Sequence, residues 1–160
     1  MNESSKKKLL LLIPHALYIL TAKNKNNFIA SSISWLTQVS FHPPLIVVAL
    51  KKETQTAVLV QKNKQFVINF PQKNQKKIVQ KFFKHITNEG AMLAEEPYLL
   101  SPILALPFFK HMAGFLECQV IEKINRGDHI VFVSEVIEAV DFEAPASPLL
   151  LSETPWKYGG

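Results

Sequence analysis

The stretch FIASSISWLTQVSFHPPLIVVAL, residues 28–50, mixes hydroxyl side chains into an apolar run that is otherwise typical of a buried strand. Hydroxyl and backbone N–H groups can together hold a phosphate dianion, and a lysine that follows, Lys51 or Lys52, can supply positive charge. A tryptophan in the same stretch offers a flat apolar surface for a ring system. The candidate ligand contacts are Ser31, Ser32, Ser34 and Trp35. They indicate a phosphorylated aromatic ligand, although an irregular edge strand whose serines bind their own backbone explains them equally well.

Other patterns that carry chemistry are missing from the sequence. The five histidines show no metal-ligand spacing such as H-x-x-x-H, and a single cysteine excludes both a CxxC pair and an intrachain disulfide. There is no G-x-S-x-G elbow around a serine and no glycine-rich phosphate loop. We therefore expect no metal site and no nucleophilic side chain, and we interpret Cys118, in the apolar segment FLECQV, as a core thiol.

The composition predicts a globular protein of one domain, residues 1–160. Hydrophobic residues make up 48% of the chain and charged residues 19%, and eleven phenylalanines argue against disorder. The net charge of +5 is compatible with an anionic ligand, but a solvated lysine-rich face explains most of the lysines. We expect no nucleic-acid partner, because interleaved aromatics and RNP-like motifs are absent. A lone cysteine fits a reducing cytoplasm.

The first residues, MNESSKKKLLLLIPHALYIL, look at first like a signal peptide, because lysines precede an apolar run. Pro14 and His15 interrupt that run, and no small-x-small cleavage pattern follows. No stretch reaches the roughly 18–20 apolar residues of a membrane span. We therefore predict neither a signal peptide nor a membrane segment.

Strand-forming residues dominate the rest of the chain. The pattern predicts strands over 17–22, 45–50, 66–70, 114–124 and 129–140, and a return strand over 28–40 that is bent or bulged around the serines. Thr54 is expected to cap a short helix that Asn63 ends, and a second, amphipathic helix is expected from Asn74. Residues 86–113, with three prolines, predict a long, partly ordered connection. Short turns between strands favour an antiparallel barrel with helices at its rim.

Several of these segments, in this order, resemble the flavin reductase-like, FMN-binding split-barrel family. They are ALYILTAK, then FIASSISWLTQVSFHPPLIVVALKK with ETQT, then FVINF, and finally LECQV with GDHIVFVSEV. The resemblance runs from about Ala16 to Val140. It implies a mainly β, antiparallel Greek-key split barrel with a few peripheral helices, which forms a homodimer and binds FMN, or FAD, near the subunit interface.

The resemblance also assigns roles to individual residues. Ser31, Ser32, Ser34 and Trp35 match the flavin-contacting strand, Lys52 and Thr54 match the basic and hydroxyl step before the helix, and Asn69 matches a strand-end asparagine. A helix cap explains Thr54, and a turn-side position explains Asn69, about as well as a ligand contact does. His129, in the GDH segment, matches a histidine that lies near the nicotinamide in relatives that use a pyridine nucleotide; an exposed hairpin histidine is the alternative.

The function that follows from the resemblance is an NAD(P)H-dependent flavin reductase, with NADH or NADPH as electron donor. Because the flavin carries such chemistry, this activity needs no carboxylate pair or nucleophile. A monooxygenase or another electron acceptor is the expected partner. Two other functions stay open: a flavin-binding electron carrier or storage protein without NAD(P)H activity, and a barrel that uses its lysines on nucleic acid.

Overall fold

The computed structural model describes residues 1–143 and 147–159. Strands form most of the regular structure and helices are few and short. The helices are α1 (Glu3–Leu10), α2 (Gln55–Asn63) and α3 (Lys76–Lys81), and Leu151–Glu153 form a single 3₁₀ turn. The strands are β1 (Tyr18–Asn24), β2 (Asn27–Ile33), β3 (Leu36–Ser40), β4 (Leu45–Lys51), β5 (Gln65–Asn69), β6 (Ile86–Thr87), β7 (Met92–Leu93), β8 (Glu96–Pro97), β9 (Leu99–Leu100), β10 (Pro107–Phe108), β11 (Gly114–Arg126) and β12 (His129–Asp141).

Eight of these strands form one antiparallel sheet, in the order β3-β4-β12-β11-β5-β1-β2-β6. Its centre is the long β11–β12 hairpin, which turns at Gly127 and Asp128 as the NRGD sequence predicts. Gly114, at the start of β11, cannot be replaced without a backbone shift, because an added Cβ would lie 2.3 Å from the carbonyl oxygen of Val140. The mainly β, antiparallel class predicted from the sequence is confirmed.

The sheet curls around a main core to which most of its strands contribute. Leu20 on β1, Val48 on β4, Phe66 on β5 and Phe132 on β12 are all buried in one cluster, together with Val60 of helix α2. Thr54 caps this helix by accepting a hydrogen bond from the backbone N–H of Ala57. The helix predicted between Thr54 and Asn63 is therefore confirmed, and it packs on the main core through Val60.

A second core lies on the other face of β1 and β2. It joins Ile19 and Ala30 of these strands to Val79 and Phe82, at helix α3 and its end. Helix α3 is shorter than the amphipathic pattern from Asn74 predicts. The amphipathic pattern also places Phe83 on the apolar face of the helix, but this side chain is 48% exposed, so the face is only partly buried.

The return strand predicted over residues 28–40 is two strands. The chain leaves regular pairing at Ser34 and Trp35, between β2 and β3. β2 pairs with β1 on one side of the sheet, whereas β3 is the opposite edge and pairs with β4. A single bent strand is therefore wrong: the serine-rich sequence ends one strand and begins a crossing to the other edge.

The connection predicted over residues 86–113 contains five two-residue strands and is confirmed as largely irregular. Its anchor is Glu117, a fully buried carboxylate on β11. Glu117 accepts a hydrogen bond from the hydroxyl of Ser101 and two more from the backbone N–H groups of Ile103 and Leu104. These donors stabilise the buried charge and hold the connection against the sheet. Helix α1 was not predicted; Asn2 caps it, and none of its residues is buried.

Candidate functional site

Two hydroxyl side chains from different elements meet at the first turn of helix α2. The hydroxyl oxygen of Ser31, on β2, lies 2.8 Å from that of Thr56, on α2. Thr54 lies two residues earlier and donates its own hydroxyl to the carbonyl oxygen of Lys51. The N-terminus of a helix carries partial positive charge and backbone N–H groups without helical partners, so this group favours an anion.

Lys52 links these hydroxyl side chains to the hairpin that carries His129. Its backbone N–H donates to the carbonyl oxygen of Asp128, and the neighbouring Lys51 pairs with His129 in the β4–β12 register. Lys51 makes an ion pair with Glu53, at 3.4 Å, whereas Lys52 has no ion pair among residues 1–143 and 147–159. Lys52 is therefore the better placed of the two lysines to bind an anionic ligand.

His129 lies against Trp35, the residue at the break between β2 and β3. Their ring centroids are 4.5 Å apart, with the planes inclined by 38°. The indole Nε1 of Trp35 is buried and has no hydrogen-bond partner within the described part of the chain. Trp35 is held in place through its carbonyl oxygen, which accepts from the backbone N–H of Ala49. The exposed hairpin histidine of the alternative interpretation is excluded, because the His129 side chain is only 11% exposed.

Both ring nitrogens of His129 have partners. Nδ1 lies 2.7 Å from a carboxylate oxygen of Asp128, and Nε2 lies 2.7 Å from the hydroxyl oxygen of Tyr158. The imidazole beside it lowers the pKa of Asp128, chiefly through this hydrogen bond, so the carboxylate is ionised at neutral pH. An ionised Asp128 accepts from Nδ1–H and leaves Nε2 as the acceptor for the Tyr158 hydroxyl in the neutral imidazole.

The structure thus brings together five of the eight predicted residues, in two linked groups: Ser31, Lys52, Thr54, Trp35 and His129. Ser32 points to the other face of β2, where its hydroxyl donates to the carbonyl oxygen of Val79. This follows from the alternation of side chains along a strand. Ser34 is buried at the strand break. A flavin contact from Ser32 or Ser34 stays a prediction of the family resemblance alone.

Asn69 is fully buried, with both ends of its amide in use. Its Nδ2 donates to the carbonyl oxygen of Ile19 at 3.2 Å, and its Oδ1 accepts from the backbone N–H of Phe109 at 3.0 Å. These bonds join β1, β5 and the connection before β11. The turn-side position of the alternative interpretation is wrong, and the flavin contact of Asn69 stays a prediction without support from its surroundings.

Sequence reasoning missed two residues of this region. Thr56 follows the K-x-T step, but nothing in its spacing indicates that it faces a serine on another strand. Tyr158 lies in SETPWKYGG, a segment from which the resemblance carried nothing over. Both contacts depend on tertiary structure, since Tyr158 lies 29 residues from His129 in the chain, and no local pattern indicates either of them.

A separate apolar groove of about 430 Å³ lies along the ends of β1, β5 and β11. None of the predicted site residues lines it. In the described ranges, no group of three or more His, Cys, Asp or Glu side chains is arranged to hold a metal ion. No helix in these ranges is both long enough and apolar enough to cross a membrane.

Comparison with known proteins agrees with the fold described above. Residues 10–156 match the family model of the flavin reductase like domain. The reductase component of 4-nitrophenol 4-monooxygenase/4-nitrocatechol 2-monooxygenase from Rhodococcus opacus is 27% identical over 121 residues, which are 76% of this chain and 63% of that protein. Diflavin flavoprotein A 1 from Synechocystis sp. is 29% identical over 124 residues, 78% of this chain but 22% of that protein. The chain therefore spans about a fifth to two thirds of the length of these relatives.

Among solved structures, the styrene monooxygenase flavin reductase from Pseudomonas putida S12 superimposes with a TM-score of 0.74 at 20% identity, over 91% of this chain and 90% of that one. At this identity the likeness shows the fold, and it confirms the predicted split barrel. The family model covers nearly the whole chain, including the strand break, helix α2 and the histidine hairpin. On this evidence the protein belongs to the flavin reductase like domain family.

Proposed function

We propose that this protein is an NAD(P)H:flavin oxidoreductase. The observation that carries the proposal is the packing of His129 on Trp35, beside an end of helix α2 that presents hydroxyl groups and Lys52. The hydrogen bond from the backbone N–H of Lys52 to the carbonyl oxygen of Asp128 links the two, which supports a single site for planar rings and a phosphate. The R. opacus relative is the reductase component of a monooxygenase, which supports the same activity here.

The residues present fit a flavin mononucleotide. The Ser31 and Thr56 hydroxyls and the first N–H groups of α2 form a donor set suited to a phosphate, and Lys52, two residues before the cap Thr54, adds a positive charge. The unpartnered Nε1–H of Trp35 is a donor that burial makes costly unless a ligand meets it. Thr54 contributes by capping α2, which orders the turn. When bound, the flavin supplies a ring that accepts a hydride.

The chain's own part in the reaction is to bind and orient the two ring systems. Trp35 provides a flat surface, and Asp128 holds His129 beside it through Nδ1, so the imidazole has a fixed orientation before substrate arrives. Such preorganisation supplies rate through proximity and orientation. None of these steps needs a side chain that forms a covalent intermediate.

Anaerobic mixing of the flavin-loaded protein with NADH and, separately, NADPH tests the proposal. We expect one of them to bleach the flavin absorbance near 450 nm (about the usual position for an oxidised flavin). Failure of both would leave the alternative, a flavin-binding electron carrier or storage protein. FMN is proposed over FAD because the donor set is built for a terminal phosphate, and titration with both flavins decides between them.

Three further proposals accompany the activity. Residues 1–160 act as one domain, since the family model spans 10–156. The protein forms a homodimer. This is supported by exposed apolar side chains on edge strand β3 and just after it, Val39 at 51% and Phe41 at 80% exposure, and sedimentation equilibrium tests it. It works in the cytoplasm, passing reduced flavin to a monooxygenase or another acceptor.

A further inference from the structure

Tyr158 covers the face of the site that a substrate of His129 has to reach. Its hydroxyl oxygen lies 2.7 Å from Nε2 of His129, and its ring meets Trp35 edge-on, with centroids 5.2 Å apart and an angle of 66°. With Asp128 on the other ring nitrogen, the His129 side chain keeps only 11% of its surface exposed. A ring that approaches His129 therefore competes with Tyr158 for the same surface.

The segment that carries Tyr158 is firmly held on one side only. Trp156 packs edge-on against Phe83, with centroids 4.5 Å apart, and Glu153 accepts a hydrogen bond from Lys73 at 2.6 Å. After Trp156, by contrast, the backbone groups of residues 157–159 make no hydrogen bond within the described part of the chain. Within the described residues, the side-chain contacts of Tyr158 and the closeness of Gly159 to the Trp35 ring hold this short segment against the site.

We propose that Tyr158 occupies the place of the nicotinamide ring and that binding of the reduced dinucleotide displaces residues 157–159, with Trp156 as the fixed point. This inference rests on the proposed function. It gives Tyr158 a defined effect: the dinucleotide must open the cover before it binds, so its apparent affinity is reduced by the fraction of molecules that are open. The phosphate of the flavin meets the N-terminal end of α2, so we expect the affinity for FMN to depend less on this opening than that for the dinucleotide.

The kinetic test replaces Tyr158. The Tyr158→Ala change removes one hydrogen bond and two aromatic contacts, with Trp35 and His129, which together correspond to at least about a tenfold effect on the opening equilibrium. We expect the KM for the reduced dinucleotide to fall by about that factor in Tyr158→Ala and by less in Tyr158→Phe, which keeps the ring. The matched control is Tyr98→Phe, which removes a hydroxyl from a tyrosine elsewhere in the fold that donates to the carbonyl oxygen of Gly90.

A second readout needs neither flavin nor nucleotide. Diethyl pyrocarbonate modifies accessible neutral imidazoles, and the labelled peptides can be counted by mass spectrometry. Tyr158→Ala should accelerate labelling of His129 several-fold over the wild-type protein, while His42 and His85, which are exposed, react equally in both and serve as internal standards. Equal labelling of His129 in the two proteins would mean that Tyr158 is no cover, and would overturn the proposal.

The remaining outcomes separate this inference from the proposed function. If neither dinucleotide bleaches the flavin in wild type or variant, the proposed function fails, and the inference fails with it. If both proteins are reduced but KM is unchanged or higher in Tyr158→Ala, the inference alone fails, because Tyr158 then contributes to the bound state. If Tyr158→Ala tightens FMN binding and leaves the KM for the dinucleotide unchanged, the cover lies over the flavin, which also contradicts it.

Discussion

The hydroxyl oxygens of Ser31 and Thr56 lie 2.8 Å apart, and this contact joins strand β2 to the first turn of helix α2. Ser31 is half-buried and Thr56 is buried, so their hydroxyls are largely shielded from solvent but lie at the positive end of a helix. In this setting a phosphate oxygen is a stronger partner for both hydroxyls than either is for the other.

Ser31→Ala should weaken FMN binding by about 10- to 100-fold, because it removes a hydrogen bond to a charged group. The dissociation constant can be measured from the quenching of flavin fluorescence. The fold should be retained, since Thr56 is the one hydrogen-bond partner of this hydroxyl among the residues that the structure describes.

Ser32→Ala is the matched control for that experiment. Ser32 is the next residue, but its hydroxyl donates to the carbonyl oxygen of Val79 on the opposite face of β2. We expect a loss of about 1 kcal/mol in the free energy of unfolding and an unchanged FMN affinity. A larger loss of FMN binding in Ser32→Ala than in Ser31→Ala would show that the wrong face has been assigned to the flavin.

Lys52→Met should weaken FMN binding and leave riboflavin binding unchanged. Riboflavin lacks the phosphate, so the comparison isolates the charge that Lys52 contributes. Isothermal titration with both ligands at low and at about 0.5 M salt gives the result, since screening should shrink the difference. Lys62→Met, on the exposed surface of the last turn of α2, is the control and should affect neither ligand.

His129→Ala should slow the bleaching of bound flavin by NAD(P)H at least about tenfold and leave the dissociation constant of FMN nearly unchanged. The reason is that His129 orients the nicotinamide, whereas the phosphate contacts lie at helix α2. Anaerobic stopped-flow absorbance measures the rate. An equal loss of flavin affinity would place His129 in the flavin site instead.

Asn69→Ala should destabilise the fold by about 2–4 kcal/mol, because it leaves the backbone N–H of Phe109 buried without a partner. Urea unfolding followed by tryptophan fluorescence measures the change. Asn63→Ala, which removes a more exposed hydrogen bond to the carbonyl oxygen of Lys23, should cost less than about 1 kcal/mol. If the folded Asn69→Ala protein loses flavin affinity out of proportion to Ser32→Ala, the contact predicted from the family resemblance is correct.

Cys118 should resist thiol reagents at pH 8 until the protein unfolds. Burial raises the pKa of its thiol, so the reactive thiolate is scarce in the folded state. The pKa of the thiol in the folded state is above the unfolded value of about 8.5. As the pH rises past that value, the unfolded state loses the thiol proton and the folded state keeps it, so the free energy of unfolding decreases. Urea midpoints measured from pH 7 to 10 should fall less steeply in Cys118→Ala than in the wild-type protein.

The sequence predicted the strands and helix α2 well because local patterns determine them. Alternating or continuous apolar residues define β4, β5, β11 and β12, and Thr54 caps α2 as its type and position indicate. Predictions failed where long-range packing decides. The crossing at Ser34 and Trp35 depends on which strand each half pairs with, and no local pattern carries that information.

The site residues also divide into those that local motifs predict and those that only long-range packing reveals. Motif order identified Ser31, Trp35, Lys52, Thr54 and His129, residues that the fold does bring close to one another. It could not separate Ser31 from Ser32, since only the register of β2 with β1 decides which hydroxyl faces α2. Nor could it find Tyr158, whose contact with His129 joins two segments that are distant in the sequence.

The crossing at Ser34 and Trp35 also has a mechanical consequence for the barrel. It links β2, next to one edge strand of the sheet, to β3, which is the other edge, through only two residues. These two residues are therefore a short covalent link between β2 and β3, and they limit how far apart the two strands can lie. A cut in the hairpin loop at Gly127 would leave this link intact, whereas a cut between Ser34 and Trp35 would free β3 from β2 and would separate Trp35 from the serine strand.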